Sequence, residues 1–252
     1  MDHPTADPAA PPPARGRLGP TSSPERRAAV IVRRLASRYP QARTSLAFDG
    51  PWQLLVATVL SAQCTDARVN SVTPVLFGRW PTPADLAAAP EAEVEEVIRP
   101  TGFFRAKTRS IRAAGAYLVA HHDGTVPRTT AELVRVPGVG RKTAAVVLGS
   151  AFGIAEGIAV DTHAGRLSRR LGLISAVDPV EAERELMAVV PRRHWIVWTH
   201  LLIEHGRAIC RARVPRCEAC VLLDLCPTGR ERIGTPRRAA RATGDRSRAR
   251  RA

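Results

Sequence analysis

Lysine is almost missing from this chain of 252 residues. It occurs only at Lys107 and Lys142, so 36 of the 38 basic residues are arginines. Long apolar runs are missing too: no stretch of 18 residues could cross a bilayer, and the N-terminus lacks the basic-then-apolar pattern of a secretory leader. A soluble, cytoplasmic protein is therefore expected. No segment alternates apolar and polar residues with period two, which argues against a sheet, and no regular repeat indicates a solenoid.

What is present is positive charge. The formal net charge is +15, and nine arginines against Glu231 and Asp245 fall within the last 25 residues. A field of that sign favours a polyanion, nucleic acid above all. An arginine-biased genome would leave the same imprint, so charge alone does not settle the partner.

Prolines crowd the first 23 residues among Ala, Gly and Ser, and that segment cannot bury enough apolar surface to order itself. The arginine-rich 228–252 segment reads the same way. Between these tails, apolar residues recur at helical spacing. Ser23-Pro24-Glu25 starts a helix running to about Arg38, and Pro51-Trp52 opens another to Ala62. Further helices are expected near 66–78, 83–89, 91–98, 105–120, 129–135, 141–152, 162–171, 178–189 and 193–208, so the fold class is all-α.

Three constellations carry chemistry. The first is Cys210-x6-Cys217-x2-Cys220-x5-Cys226. In a reducing compartment these cysteines are metal ligands, nucleophiles or core thiols rather than disulfides. Four thiolates within 17 residues can close round one metal centre, although zinc sites usually pair their ligands across a longer spacer. An iron–sulfur cluster, zinc and unligated thiols all remain open on spacing alone. Arg211, Arg213 and Arg216 inside this loop are candidate phosphate contacts, or simply solvated charges. Cys64 has no local partner and is expected to pack.

The second is Val136-Pro-Gly-Val-Gly-Arg-Lys142. A short helix ends at Pro137, Gly138 and Gly140 allow positive φ and close backbone approach, and a helix resumes at Arg141. This is a helix-hairpin-helix pattern, in which the amides of Gly138, Val139 and Gly140 could bind a DNA phosphate at a helix N-terminus. Lys142 adds reactivity. A primary amine can attack a sugar C1′ and form a Schiff base, which a delocalised guanidinium cannot. It must first lose its proton, which the positive end of the following helix and partial burial would favour.

The third is Val160-Asp-Thr-His163. Asp161 sits where a helix N-cap belongs, and also where a carboxylate could stabilise a cationic sugar and polarise a nucleophile. His163 is given only a packing or hydrogen-bonding role.

In order along the chain, Leu60-Ser-Ala-Gln63, Thr65-Asp66, Gly102-Phe103, the hairpin with Lys142, Val160-Asp-Thr-His163, His205-Gly206 and the four cysteines resemble the endonuclease III family of DNA glycosylases. The match spans about Glu25 to Pro227. The resemblance implies an all-α, two-lobed helix-hairpin-helix fold: a six-helix domain over 44–155, and a cluster domain joining 24–43 to 156–227, with a substrate cleft between them. It implies Lys142 as nucleophile, Asp161 as catalytic carboxylate, and a [4Fe–4S] cluster on Cys210, Cys217, Cys220 and Cys226. Gln63 would fill the space left by an extruded nucleotide and Phe103 would wedge beside it. Val136 stands where the family usually has Leu, and Phe103 where it more often has another apolar residue.

The function so implied is a bifunctional DNA glycosylase/AP lyase of base excision repair. It would remove oxidised pyrimidines from duplex DNA as a nucleoid-associated monomer, and cleave 3′ of the abasic site by β-elimination. Two other functions share part of this pattern. An adenine DNA glycosylase would want an acidic residue within Trp52 to Ala62, where there is none, and would lack the lysine. A non-catalytic iron–sulfur DNA-binding protein would use hairpin and cluster for docking alone.

Overall fold

The computed structural model describes residues 18–234, which form helices joined by short turns; no strand occurs among the described residues. Most of both tails, 1–17 and 235–252, lies outside the described residues. The helices are α1 (Pro24–Arg38), α2 (Pro51–Leu60), α3 (Asp66–Arg79), α4 (Pro83–Ala88), α5 (Glu91–Ile98), α6 (Phe104–His122), α7 (Thr130–Leu133), α8 (Arg141–Phe152), α9 (Thr162–Arg170), α10 (Pro179–Val189), α11 (Trp195–Ala208) and α12 (Pro227–Gly234). The last corrects the expected tail boundary. Residues 228–234 are helical, and the Gly229 amide donates to Cys226 Sγ at 3.2 Å.

The helix starts follow from local chemistry. Thr82 and Asp85 form a reciprocal capping box, and Asp178 accepts from Val180 N and Glu181 N at 2.9 and 3.0 Å with Pro179 at the first position. Each arrangement satisfies amide donors that the first helical turn leaves without partners.

Buried apolar side chains gather into two cores. One is built by α2 to α8, with Leu54, Leu55, Leu60, Ile111, Val147 and Leu148 fully enclosed. The other joins α1 to α9, α10, α11 and the cysteine segment around Trp198, Ile31 and Leu35. Each fully enclosed large side chain contributes roughly 1.5–3 kcal/mol of transfer free energy. The N-terminal helix docks on the second core through Arg27, whose guanidinium donates to Leu171 O at 2.5 Å and Gly172 O at 2.6 Å.

Helix α11 touches both halves. A Cβ at Gly149 of α8 would sit 3.2 Å from Ile196 on α11, and a Cβ at Gly206 on α11 would collide with His163 of α9. Only a residue without a side chain lets α9 and α11 approach so closely at Gly206. That accounts for His205-Gly206 and gives His163 the packing role expected of it; Arg166 lies 3.1 Å from its Nδ1.

Candidate active site

The loop from α7 to α8 turns at Gly138, whose φ of 79° is left-handed, and Val139 N donates back to Val136 O at 3.0 Å. Two expectations change here. The amide of Val139 is committed to this turn rather than free for a phosphate. Gly140 has an extended backbone, φ −93° and ψ 175°, not a positive φ. A Cβ there would meet nothing within 4 Å, so the N-cap of α8 borders open space. The first-turn amides of α8 have no acceptor within the helix, the condition that suits a helix N-terminus to anion binding.

Lys142 lies in the first turn of α8 and is exposed, not partly buried. It lines a cleft of about 370 Å3 together with Gln63, Asp66, Val146, Asp161 and His200. The structure therefore brings the candidate nucleophile, carboxylate and inserting glutamine to one opening between the two cores. Asp161 caps α9, accepting from Ala164 N at 2.6 Å, so capping and cleft-lining coexist in one half-buried carboxylate. Burial pushes His200 below the usual histidine value although Asp161 and Glu204 pull it upward, so its ring faces the cleft uncharged at neutral pH.

Gln63 and Phe103 are exposed and share an unusual backbone, with φ of 53° and 49°. Phe103 is 67% exposed. Left-handed conformations are costly for side-chain-bearing residues and concentrate where function demands them. Both project from turns between helices, Gln63 between α2 and α3 and Phe103 before α6.

Arg141, beside Lys142, reaches across to α10: its Nε donates to Glu183 Oε2 at 2.9 Å, and Glu183 is 8% exposed in its side chain. This pair ties the start of α8 to the second core. Sequence reading missed it, since nothing local connects positions 42 residues apart.

The four cysteines line one small cavity, with Arg170, Ile209 and Leu223 among its walls. Four thiolates on a single zinc at 2.3 Å would lie about 3.8 Å apart. Among the described residues no three His, Cys, Asp or Glu side chains converge on one ion in that way. Burial pushes the Cys220 thiol up to about 11 and raises Cys217 and Cys226 as well, so cationic metal is what would draw the protons off. Donors already face the sulfurs: Arg170 Nη1 lies 3.3 Å from Cys210 Sγ and His205 Nε2 lies 3.3 Å from Cys220 Sγ.

Burial, reinforced by Arg38, pushes His205 down to about 4, so its ring is neutral. Tyr39 Oη lies 3.0 Å from Nδ1; with the phenol donating there, Nε2–H is left to point at sulfur. Arg170 also donates to Arg211 O at 2.8 Å and Ala212 O at 2.6 Å, fixing the cysteine loop's backbone. The side chains of Arg211, Arg213 and Arg216 are exposed and make no ion pair among the described residues.

Residues 56–192 match the model of the HhH-GPD superfamily of base excision DNA repair proteins. The chain is 51% identical to endonuclease III of Synechocystis sp. over 82% of its length and 94% of that protein. It is 44% identical to endonuclease III of Bacillus subtilis, covering 79% and 91%. Among solved structures it resembles a trapped endonuclease III–DNA covalent intermediate, with a TM-score of 0.77, 43% identity, and 83% and 98% coverage. A thermostable thymine-DNA glycosylase, 21% identical with a TM-score of 0.73 over 82% and 98%, shares the fold. No described helix is long and apolar enough to cross a membrane.

Proposed function

The chain belongs to the endonuclease III family within the HhH-GPD superfamily of base excision DNA repair proteins, and from that membership we propose how it works as a bifunctional DNA glycosylase/AP lyase on damaged duplex DNA. The observation that carries the reading is the shared cleft of Lys142, Asp161 and Gln63.

A damaged nucleotide enters the cleft only when extruded from the helix, since its C1′ is out of reach inside the stack. Gln63 and Phe103, exposed on their left-handed turns, fill the gap and replace lost stacking. The amides opening α8 and the exposed Arg211, Arg213 and Arg216 hold the phosphates on either side. The Lys142 amine then attacks C1′: a C1′–Nζ bond forms, the bond to the base breaks, and the base leaves with its electron pair. Asp161 stabilises the positive charge developing on the sugar and accepts a proton from the attacking amine. The sugar opens to a Schiff base on Lys142. Water takes a C2′ proton, the electrons of that C–H bond form a C2′–C3′ double bond, and the C3′–O bond breaks with the phosphate leaving on its electron pair, which cuts the strand 3′ of the abasic site. Bound DNA supplies the desolvation that the exposed Lys142 lacks alone.

Oxidised pyrimidines are the proposed lesions. Cys210, Cys217, Cys220 and Cys226 would hold a [4Fe–4S] cluster, as the family resemblance implies. When bound it would close the loop bearing the three arginines, while base displacement and elimination transfer no net electrons. The two cores correspond in this reading to domains over 44–155 and over 24–43 with 156–227, extended by α12, and the enzyme works as a monomer on chromosomal DNA.

Single-turnover assays on duplex containing an oxidised pyrimidine or an abasic site test the chemistry. Lys142→Ala, folded and cluster-loaded, is expected to bind DNA but to lose strand cleavage and borohydride-trapped adduct. Adduct formation undiminished in that variant would overturn the assignment.

A further inference from the structure

Lys107, the chain's other lysine, is 5% exposed on α6. Its ammonium donates to Leu60 O at 2.8 Å and to Thr101 O at 2.8 Å. Among the described residues no carboxylate pairs with it, and burial lowers its proton affinity while the nearby Cys64 raises it. An unpaired buried cation is costly to place, and an apolar residue there would instead strand two carbonyls. The two acceptors are informative. Leu60 ends α2 three residues before Gln63, and Thr101 ends the turn two residues before Phe103. Its own backbone amide donates to Phe103 O at 3.1 Å.

We propose that Lys107 is a positioning residue for base extrusion: one buried ammonium pins the roots of both inserting turns, fixing Gln63 and Phe103 at the separation at which they enter the duplex together. The two turns belong to different helices, and this one ammonium bonds to the backbone at the foot of each. A slender ammonium can reach two carbonyls at one point, whereas a planar guanidinium spreads its donors over a fork. Hence both lysines of this arginine-rich chain sit where arginine does not serve, Lys142 to react and Lys107 to hold. The inference rests on reading Gln63 and Phe103 as inserting residues.

The test compares single-turnover cleavage of an oxidised pyrimidine paired within intact duplex with the same lesion opposite a one-nucleotide gap, where no partner base is orphaned. Lys107→Met is expected to slow the paired substrate roughly 10- to 100-fold and the gapped one less than about threefold, because misplaced insertion matters only when extrusion is opposed. Lys107→Gln, which keeps two N–H donors, is expected to recover part of the paired rate; should Lys107→Met not fold, it carries the same comparison. Combining Lys107→Met with Gln63→Ala should add little to either alone. Equal slowing on both substrates, or none, overturns the proposal while Gln63→Ala and Phe103→Ala still slow the paired substrate. If those two variants leave the paired substrate unaffected, the insertion reading itself falls, and this one with it.

Discussion

The two hairpin glycines make separable predictions, because one serves the fold and the other the DNA. At Gly138 the backbone is left-handed, with φ 79°, and an added Cβ would lie 2.9 Å from Ser110 Cβ. The left-handed conformation costs a side-chain-bearing residue roughly 1–2 kcal/mol. Relieving a carbon contact that close requires movement of packed atoms, worth about 1–3 kcal/mol. Gly138→Ala should therefore destabilise the protein by about 3 kcal/mol and lower Tm by roughly 6–12 °C. Gly140→Ala meets open space with φ −93°, and exchanging one weak N-cap for another should cost under about 1 kcal/mol. Its methyl group, however, occupies the space through which a phosphate would reach the first amides of α8. Losing one such charge-assisted contact should weaken duplex binding roughly 10- to 100-fold. Thermal melting and fluorescence anisotropy on abasic-analogue duplex measure the two effects. A stable Gly138→Ala protein, or Gly140→Ala binding DNA as tightly as the parent, would refute the division of labour.

Other expectations follow from the same geometry. Glu183→Gln should leave Arg141 without its ionic partner; as that arginine is half-exposed, the stability loss should stay near 1 kcal/mol, while misplacement of α8 shows as a fall in kcat on abasic duplex. Cys226→Ala should bleach the broad visible absorption expected of a brown protein and speed hydrogen exchange in residues 210–226, leaving α2 and α8 protected. Deleting residues 235–252 removes seven arginines against Asp245. It should weaken binding mainly at low salt and flatten the dependence of log K on log salt by about 0.9 per lost phosphate contact. An unchanged slope would show that this segment does not touch DNA.

Much of this was legible because caps and breakers act locally. Ser23-Pro24, Thr82 with Asp85, and Asp178-Pro179 announce helix starts through their own side chains, and those starts fall where expected to within a residue. The hairpin was legible as a turn, but not which glycine needs left-handed geometry, because Ser110, the residue crowding Gly138, lies on another helix. Helix α12 was missed because an arginine-rich segment looks unstructured until the Gly229 amide meets Cys226 Sγ. Arg141 with Glu183, His205 with Cys220, and Lys107 with Leu60 and Thr101 were invisible for the same reason. Each is a contact whose partners only the packed fold brings together.

Whether Lys142 is the covalent nucleophile can be read directly, because the sequence holds few primary amines: Lys107, Lys142 and the terminal amine. Borohydride reduction of the enzyme on abasic duplex, followed by proteolysis and mass spectrometry, would locate the sugar remnant. The remnant is expected on the peptide containing Lys142; a remnant on Lys107 or the terminal amine, with Lys142 unmodified, would show that another amine attacks the sugar.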